Sequence, residues 1–342
     1  MPEPVVDPTP RERGWRSVVG GLALLLLLPA MPPFSVLMPV SETALLLVPA
    51  LAACSLAGWK AGGRLFLAVI WVAFAAWVVI AGPSGSQYGL LARGWGVLVA
   101  VAFGAGALFW PERSFLPRAL AAVALALVVG GLTSFAVPGG PAGIRRVVGS
   151  ETMRRAEAFD ADWRERLASK DWAEFRTANA ESAAWFEQTL SEQRTMVRRT
   201  AEQSPALFPA LLALETLAAL GLAWALYHRV GRARIGAPLA SLREFRFNDQ
   251  FIWGLVGGLA LLVVPGLGPV RALGANLLLF FGALYGLRGA GVALFFLAPG
   301  RLMTVVMVSV SVLFAGAAGV IFVGLGLGDT WLDWRRRERP ST

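Results

Sequence analysis

The sequence predicts an all-α protein, a polytopic bundle of about nine transmembrane helices (eight if one run does not cross) with one extramembrane amphipathic helical segment. Three observations predict it. Long apolar runs follow one another with short charged loops between them, and a helix needs about 20 apolar residues to cross a ~30 Å hydrocarbon core. Hydrophobic residues make up 56% of the chain and charged residues 15%, against roughly 25% charged in soluble domains; the mean hydropathy is +0.61. The period-two alternation of a membrane β-barrel is absent, which argues against that solution.

Residues 1–16 form a polar, proline-rich tail with Arg11, Arg13 and Arg16 just before the first apolar run. A basic start and a short apolar stretch also describe a signal peptide. This run, however, ends in Pro29-Ala-Met-Pro-Pro33 without an A-x-A-like cleavage site, and further runs follow, so it reads as an uncleaved span over 17–37, broken near Pro29, Pro32 and Pro33. Spans at 41–58, 64–82, 89–110 and 117–137 complete an N-terminal bundle over 17–137. Lys60 and Arg64 mark the second loop, and Glu112, Arg113 and Arg118 the fourth. The 82–87 loop has no charge and the first loop only Glu42. Basic loops stay on the cytoplasmic side, which places the N-terminus and the second and fourth loops there.

Residues 138–205 break the pattern. After Pro138-Gly-Gly-Pro141 come eleven basic and eleven acidic residues. Phe159, Trp163 and Leu167 recur every four residues, Trp172 and Phe175 are three apart, and Phe186 and Leu190 four apart, a helical period with a narrow apolar stripe. One or two amphipathic helices are expected on the side opposite the N-terminus. Two arrangements fit equally: tryptophans resting in the headgroup layer, or a hairpin packed on itself or on a second copy. Pro205 and Pro209 then open a sixth span over 206–228, and spans at 251–268, 271–298 and 302–327 complete a C-terminal bundle over 206–328. The tail 329–342 carries Arg335, Arg336, Arg337 and Arg339. Nine spans put this basic tail opposite the N-terminus, against the charge preference; a re-entrant N-terminal run is the alternative.

Composition removes several functions. The net charge of +9 suggests nucleic acid, yet the uncompensated arginines flank spans and read as topology signals. Only Lys60 and Lys170 of the 31 basic residues are lysine, which points to a GC-rich bacterial genome and so to the bacterial cytoplasmic membrane. Cys54 and His228 are the only residues of their kinds, so no intrachain disulfide, Cys-based zinc site or multi-His metal site is available. His228 reads as a basic interfacial residue at a helix end. Neither G-x-x-x-x-G-K-[ST] nor G-x-S-x-G occurs. No enzyme activity, cofactor or metal is expected.

Three segments carry a resemblance. Pro238-Leu-Ala-Ser-Leu-Arg-Glu-Phe-Arg-Phe-Asn-Asp249 precedes an apolar run, Gly282-Ala-Leu-Tyr-Gly-Leu-Arg-Gly-Ala-Gly-Val-Ala-Leu-Phe-Phe296 lies in the next, and Leu325-Gly-Leu-Gly-Asp-Thr-Trp-Leu-Asp-Trp-Arg335 closes the last. Together they resemble the YybS-like family of uncharacterised bacterial multi-pass membrane proteins, over about residues 15–335. That family is more distantly similar to the substrate-binding membrane subunits of energy-coupling-factor vitamin importers. Asn248 stands where the family pattern has proline, which leaves the helix start there open. The resemblance implies no catalytic residues.

Candidate functional residues are the polar ones inside spans. Glu215 lies nine residues into the sixth span, about 13 Å along a helix. A carboxylate there is costly and faces a bundle interior or a wet cavity. It serves either as a proton relay or counter-ion for a cationic ligand, or as a structural clamp. Arg93, Arg288 and Asn276 are the other ligand-binding candidates; Asn276 also suits interhelical hydrogen bonding and the arginines snorkelling. Arg243, Phe245, Arg246 and Asp249 form a partner-docking candidate for an ATPase or envelope complex, or else an interfacial helix with Phe245, Phe247 and Phe251 in lipid. Asp329, Asp333 and Arg335 read as a helix-terminal ion cluster. Gly254 with Gly258, and Gly282 with Gly286, permit close helix contact.

Two functions remain. One is a small-molecule binding or transport-related bundle with a separate ATPase partner. The other is a non-enzymatic scaffold or assembly factor, docking through 144–203 or the 229–249 loop. Lipid is the certain partner, nucleic acid is not expected, and the ligand is unspecified.

Overall fold

The computed structural model describes residues 15–32, 34–81, 85–137, 139–231, 234–298 and 300–337. The basic stretch with Arg11 and Arg13, Pro138, residues 82–84 of the 82–87 loop and Arg339 lie outside them. Among the described residues there are helices and turns and no strand. Apolar solvent offers no partner for backbone N–H and C=O, so a chain this hydrophobic must satisfy them within helices.

The helices are α1 (Arg16–Leu27), α2 (Phe34–Leu37), α3 (Val40–Lys60), α4 (Leu65–Ala81), α5 (Gln87–Phe109), α6 (Phe115–Ser134), α7 (Gly140–Leu167), α8 (Lys170–Ala178), α9 (Ala180–Val230), α10 (Ile252–Val263), α11 (Arg271–Leu297), α12 (Arg301–Leu313), α13 (Ala315–Leu332) and α14 (Trp334–Arg337). α3, α5, α6, α9 and α11 are long and apolar enough to cross a membrane, and the bent pair α12 and α13 makes a sixth if taken as one span. α1 stops after 12 residues in a 3-10 turn over Leu28–Ala30, as Pro29 requires. α4 and the helix around α10 are shorter apolar helices. The chain divides into two compact units, Met1–Pro205 with Glu215–Pro238, and Ala206–Leu214 with Leu239–Thr342. The division falls inside α9 and not at its start.

In the first unit α3 and α5 run parallel at close range. A Cβ on Gly96 would stand 2.6 Å from the Leu45 carbonyl, and one on Gly104 would stand 2.8 Å from Ala53 Cβ. Ser86 caps α5 by accepting the Gly89 N–H at 2.9 Å. Arg118 sits one turn into α6 and is buried. Its Nη2 donates to the carbonyls of Trp110, Pro111 and Arg113, and its guanidinium lies 4.7 Å from the Trp224 ring. It therefore organises the α5–α6 loop. His228 is also buried, not interfacial, with its ring against Trp224 and Tyr227.

The extramembrane segment is a hairpin packed on itself. α7 and the first half of α9 pair through Ala156, Val197 and Ala201, with Val36 beneath them. Phe159, Trp163, Trp172, Phe175 and Phe186 form the tip's aromatic core, and Trp172 Nε1 donates to Glu187 at 3.3 Å. This corrects the headgroup reading: the aromatic stripe closes the hairpin, and α7 of 28 residues sets its tip about 40 Å from its base at 1.5 Å per residue.

α9 also corrects the expected helix start. It runs 51 residues without stopping at Pro205 or Pro209. Proline in a helix frees the carbonyl four residues back. For Pro205 that is the Ala201 carbonyl, which accepts from Thr152 Oγ1 at 3.2 Å and Ser204 Oγ at 3.0 Å. One turn on, within the second unit, Asn276 enters the backbone ladder. Its Nδ2 donates to the Ala206 carbonyl at 2.7 Å and its Oδ1 accepts the Ala210 N–H at 2.9 Å, the two groups that would bond each other in an undisturbed helix. Thr152 thus takes up the carbonyl that Pro205 frees, and Asn276 bridges the turn beside Pro209.

The second unit packs α11 between α10 and α13. Gly258 and Gly274 face each other, a Cβ on either meeting the other's carbonyl at 3.0 or 2.8 Å. Gly254 abuts Phe281, whereas Gly282 has no neighbour within 4 Å and Gly286 only Val323 at 3.8 Å. The close contact of α11 with α13 is made instead at Gly289 and Gly326. Asn248 resolves the helix start: its Oδ1 accepts the Gln250 N–H at 3.0 Å, an Asx cap in place of the proline, ahead of a 3-10 turn that leads into α10.

Asn276→Ala is expected to destabilise the folded protein by about 1–2 kcal/mol, the range for an interhelical polar contact in a bundle. Pro209→Ala in the same chain should recover part of the loss, because the helix can close its own ladder. A double-mutant cycle on unfolding in mixed detergent measures this; simple additivity would contradict the wedge.

Candidate functional site

The first unit gathers a string of polar side chains around Glu215. Glu42 and Thr43 lie in the first turn of α3, where a carboxylate favours the positive helix end. Thr43 Oγ1 donates to Glu215 Oε1 at 3.0 Å. Glu42 Oε2 accepts from Tyr88 Oη, at the start of α5, at 2.8 Å. Glu42 is also paired with Arg155 of α7, whose guanidinium lies 4.8 Å from the Tyr88 ring and donates to the Val36 carbonyl at 3.1 Å. Arg155 Nε continues to Glu151 at 2.9 Å, and Glu151 to the exposed Arg154 at 2.6 Å. The string leads from solvent to a carboxylate that is 4% exposed.

Along this string only Glu215 lacks an ion-pair partner among the described residues. The charged groups that act on it are Glu42 and Arg155. A carboxylate removed from water and bonded to a neutral hydroxyl is costly, and intramembrane carboxylates face a bundle interior or a wet cavity. Trp95 Nε1 donates to Thr216 at 3.0 Å beside it. Arg93 lies half-buried in the second turn of α5, and Asn276 serves the α9 backbone.

The second unit's polar centre is saturated. Asp329 of α13 is completely buried and Arg288 and Arg335 are each 3% exposed. Arg288 Nε donates to Asp329 Oδ2 at 2.9 Å and its Nη1 to Asp249 at 2.6 Å. Arg335 donates to both Asp329 oxygens, at 3.2 and 2.6 Å, and to the carbonyls of Arg243 and Phe245. Arg335 returns to Asp329 because Asp333 adopts the left-handed conformation, φ 43°, which aspartate tolerates. Asp333 in turn pairs with Arg246 at 2.8 Å.

The 243–249 loop is therefore not an interfacial helix. Apart from short 3-10 turns it is extended. Phe245, Phe247 and Phe251 stack on one another and on Tyr285 and Phe281, with Arg288 over the Phe247 ring at 5.5 Å. Phe245, Arg246 and Asp249 are engaged within the unit, leaving the Arg243 side chain exposed. Arg288 meets Asp329 and Asp249, and it anchors all three motif segments together.

Sequence reasoning passed over Glu42, Thr43, Tyr88 and Arg155. A signal existed: Glu42 is the only acid between Glu12 and Glu112, yet its position at a span start reads as loop charge. Tyr88 and Arg155 carried no pattern and are found only by folding. Among the described residues no group of three or more His, Cys, Asp or Glu is placed to hold a metal ion.

Residues 165–330 match a family model described as Predicted membrane protein (DUF2232). No curated protein and no solved structure matches the chain. The match contains Glu215, Arg288 and Asp329 and ends just after the buried aspartate. This stretch is therefore similar to a predicted membrane protein, in agreement with the apolar helices.

Asp329→Asn should cost about 3–5 kcal/mol, the range for breaking a buried ion pair, read as a lower unfolding midpoint in detergent. An unchanged midpoint would contradict the clamp. The hairpin should show acid sensitivity. Hydrogen bonds from Arg154 hold the Glu151 carboxyl below its usual range, and those from Arg194 do so for Asp160. A depressed carboxylate contributes stability above its unfolded value and loses it as pH falls through the folded one. The thermal midpoint should therefore drop below about pH 4, less steeply in Asp160→Asn, as followed by circular dichroism.

Proposed function

We propose that the protein is a non-enzymatic, small-molecule binding or transport-related bundle of the bacterial cytoplasmic membrane, similar in role to importer substrate-binding subunits. Glu215 is its proton- or cation-accepting group. The observation that carries this is the contrast between the two polar centres. Every buried charge of the Asp329 centre has a direct ion-pair partner, whereas Glu215 is bonded to a neutral hydroxyl and makes no ion pair among the described residues. Intramembrane carboxylates of this kind mark ion pathways and ligand counter-charges. The Glu42–Arg155–Glu151 string supplies the link to solvent that such a group needs.

A scaffold is the second reading, and the hairpin favours it. α9 is one helix of 51 residues, about 77 Å long at 1.5 Å per residue, and its outer half with α7 and α8 presents an exposed Trp185. A loop between spans does not require this much structure.

Native mass spectrometry of the protein purified in mild detergent separates the two. The binding reading expects a co-purifying small molecule in wild type that is lost from Glu215→Gln, with an unchanged elution volume showing that the variant folds. A co-purifying protein with no small molecule would overturn it in favour of the scaffold.

A further inference from the structure

Where α3 ends and α4 begins, the first unit contains an open cleft with a cavity volume of about 20 Å³ at its base. Leu51, Leu67 and Trp71 form its apolar walls, Tyr227 its floor, and Trp59 and Arg64 its mouth. Tyr227 lies close because Gly58 has no side chain: a Cβ there would stand 2.6 Å from the tyrosine hydroxyl. That hydroxyl already accepts the Ile235 N–H at 3.1 Å, so the floor is fixed and its polar atom is engaged. Next to the cleft, Leu65, Phe66, Val69 and Ile70 are exposed, as expected of a lipid-facing helix.

The mouth is cationic. Lys60 and Arg64 flank the glycine turn, and both are exposed. Among the described residues neither is paired with a carboxylate, and no Asp or Glu occurs between Glu42 and Glu112. Trp59, 42% exposed, sits between the charged turn and the apolar walls, where indoles collect at the membrane–water boundary. An occupant must offer an apolar chain to the walls and negative charge to the rim. From this complementarity we propose that the α3–α4 turn and its cleft bind an anionic phospholipid, with a tail beside Leu51, Leu67 and Trp71 and its phosphate at Lys60 and Arg64.

The test is native mass spectrometry of the full chain in mild detergent, with equal amounts of phosphatidylglycerol and phosphatidylcholine added. Wild type should retain phosphatidylglycerol on the order of tenfold better, since each basic residue near the headgroups adds to attraction for acidic lipid. Lys60→Gln with Arg64→Gln should bring retention close to parity. Both side chains are exposed, so folding is not at risk. Arg243→Gln, an exposed arginine of the second unit, should leave the preference in place. Ser55→Phe, which fills the cleft, should weaken retention of both lipids while the elution volume stays unchanged. Absence of preference in wild type, its survival in Lys60→Gln with Arg64→Gln, or full retention by a folded Ser55→Phe would overturn the proposal.

Discussion

Asp329, at 0% exposure between Arg288 and Arg335, is the interaction that holds the second unit together. Three stretches far apart in sequence supply it: the loop before α10, the middle of α11 and the turn after α13. Arg288, Asp329 and Arg335 alone would each be a buried charge without compensation, whereas Asp249 joins them from the exposed side. Together they give Asp329 two cations, give Arg288 two carboxylates, and use the remaining Arg335 donors on loop carbonyls. The glycine contact at Gly289 and Gly326 brings α11 close enough to α13 for this to happen. Removal of one member would leave the others uncompensated, which costs far more than the assembled cluster contributes.

The same constraint governs the backbone. Pro205 removes an N–H from α9, and its orphaned carbonyl is taken up by Thr152 and Ser204. Below Pro209, Asn276 bridges Ala206 and Ala210. Without such partners either proline would end the helix. With them, α9 continues as one helix through both prolines.

Glu215 differs from the ion-paired charges of the second unit. Its bond to Thr43 is neutral, and the adjacent Glu42 is itself held outward by Tyr88 and Arg155. An isolated carboxylate costs more than a paired one, so a merely structural position would favour Gln, which makes the same hydrogen bonds without the charge.

Periodicity and composition by themselves determined that the described chain is helical, that several of its helices suit a bilayer, that the first run breaks at Pro29, and that the polar 138–205 stretch is helical with an aromatic stripe. These follow from hydrophobic spacing and proline chemistry, which are local. Asp329 and Arg335 were legible as a cluster because only six residues separate them. Tertiary structure decided the rest. It carried α9 through two prolines, turned the Phe245–Phe251 loop onto its own bundle, buried Arg118 and His228 where a boundary position was expected, and set Glu42 beside Glu215. Each of these depends on a partner more than thirty residues away or on a loop folding back, and such partners leave no periodic trace in the chain. The polar groups of a membrane protein are few, so which of them meet is settled by helix packing and not by the sequence around each one.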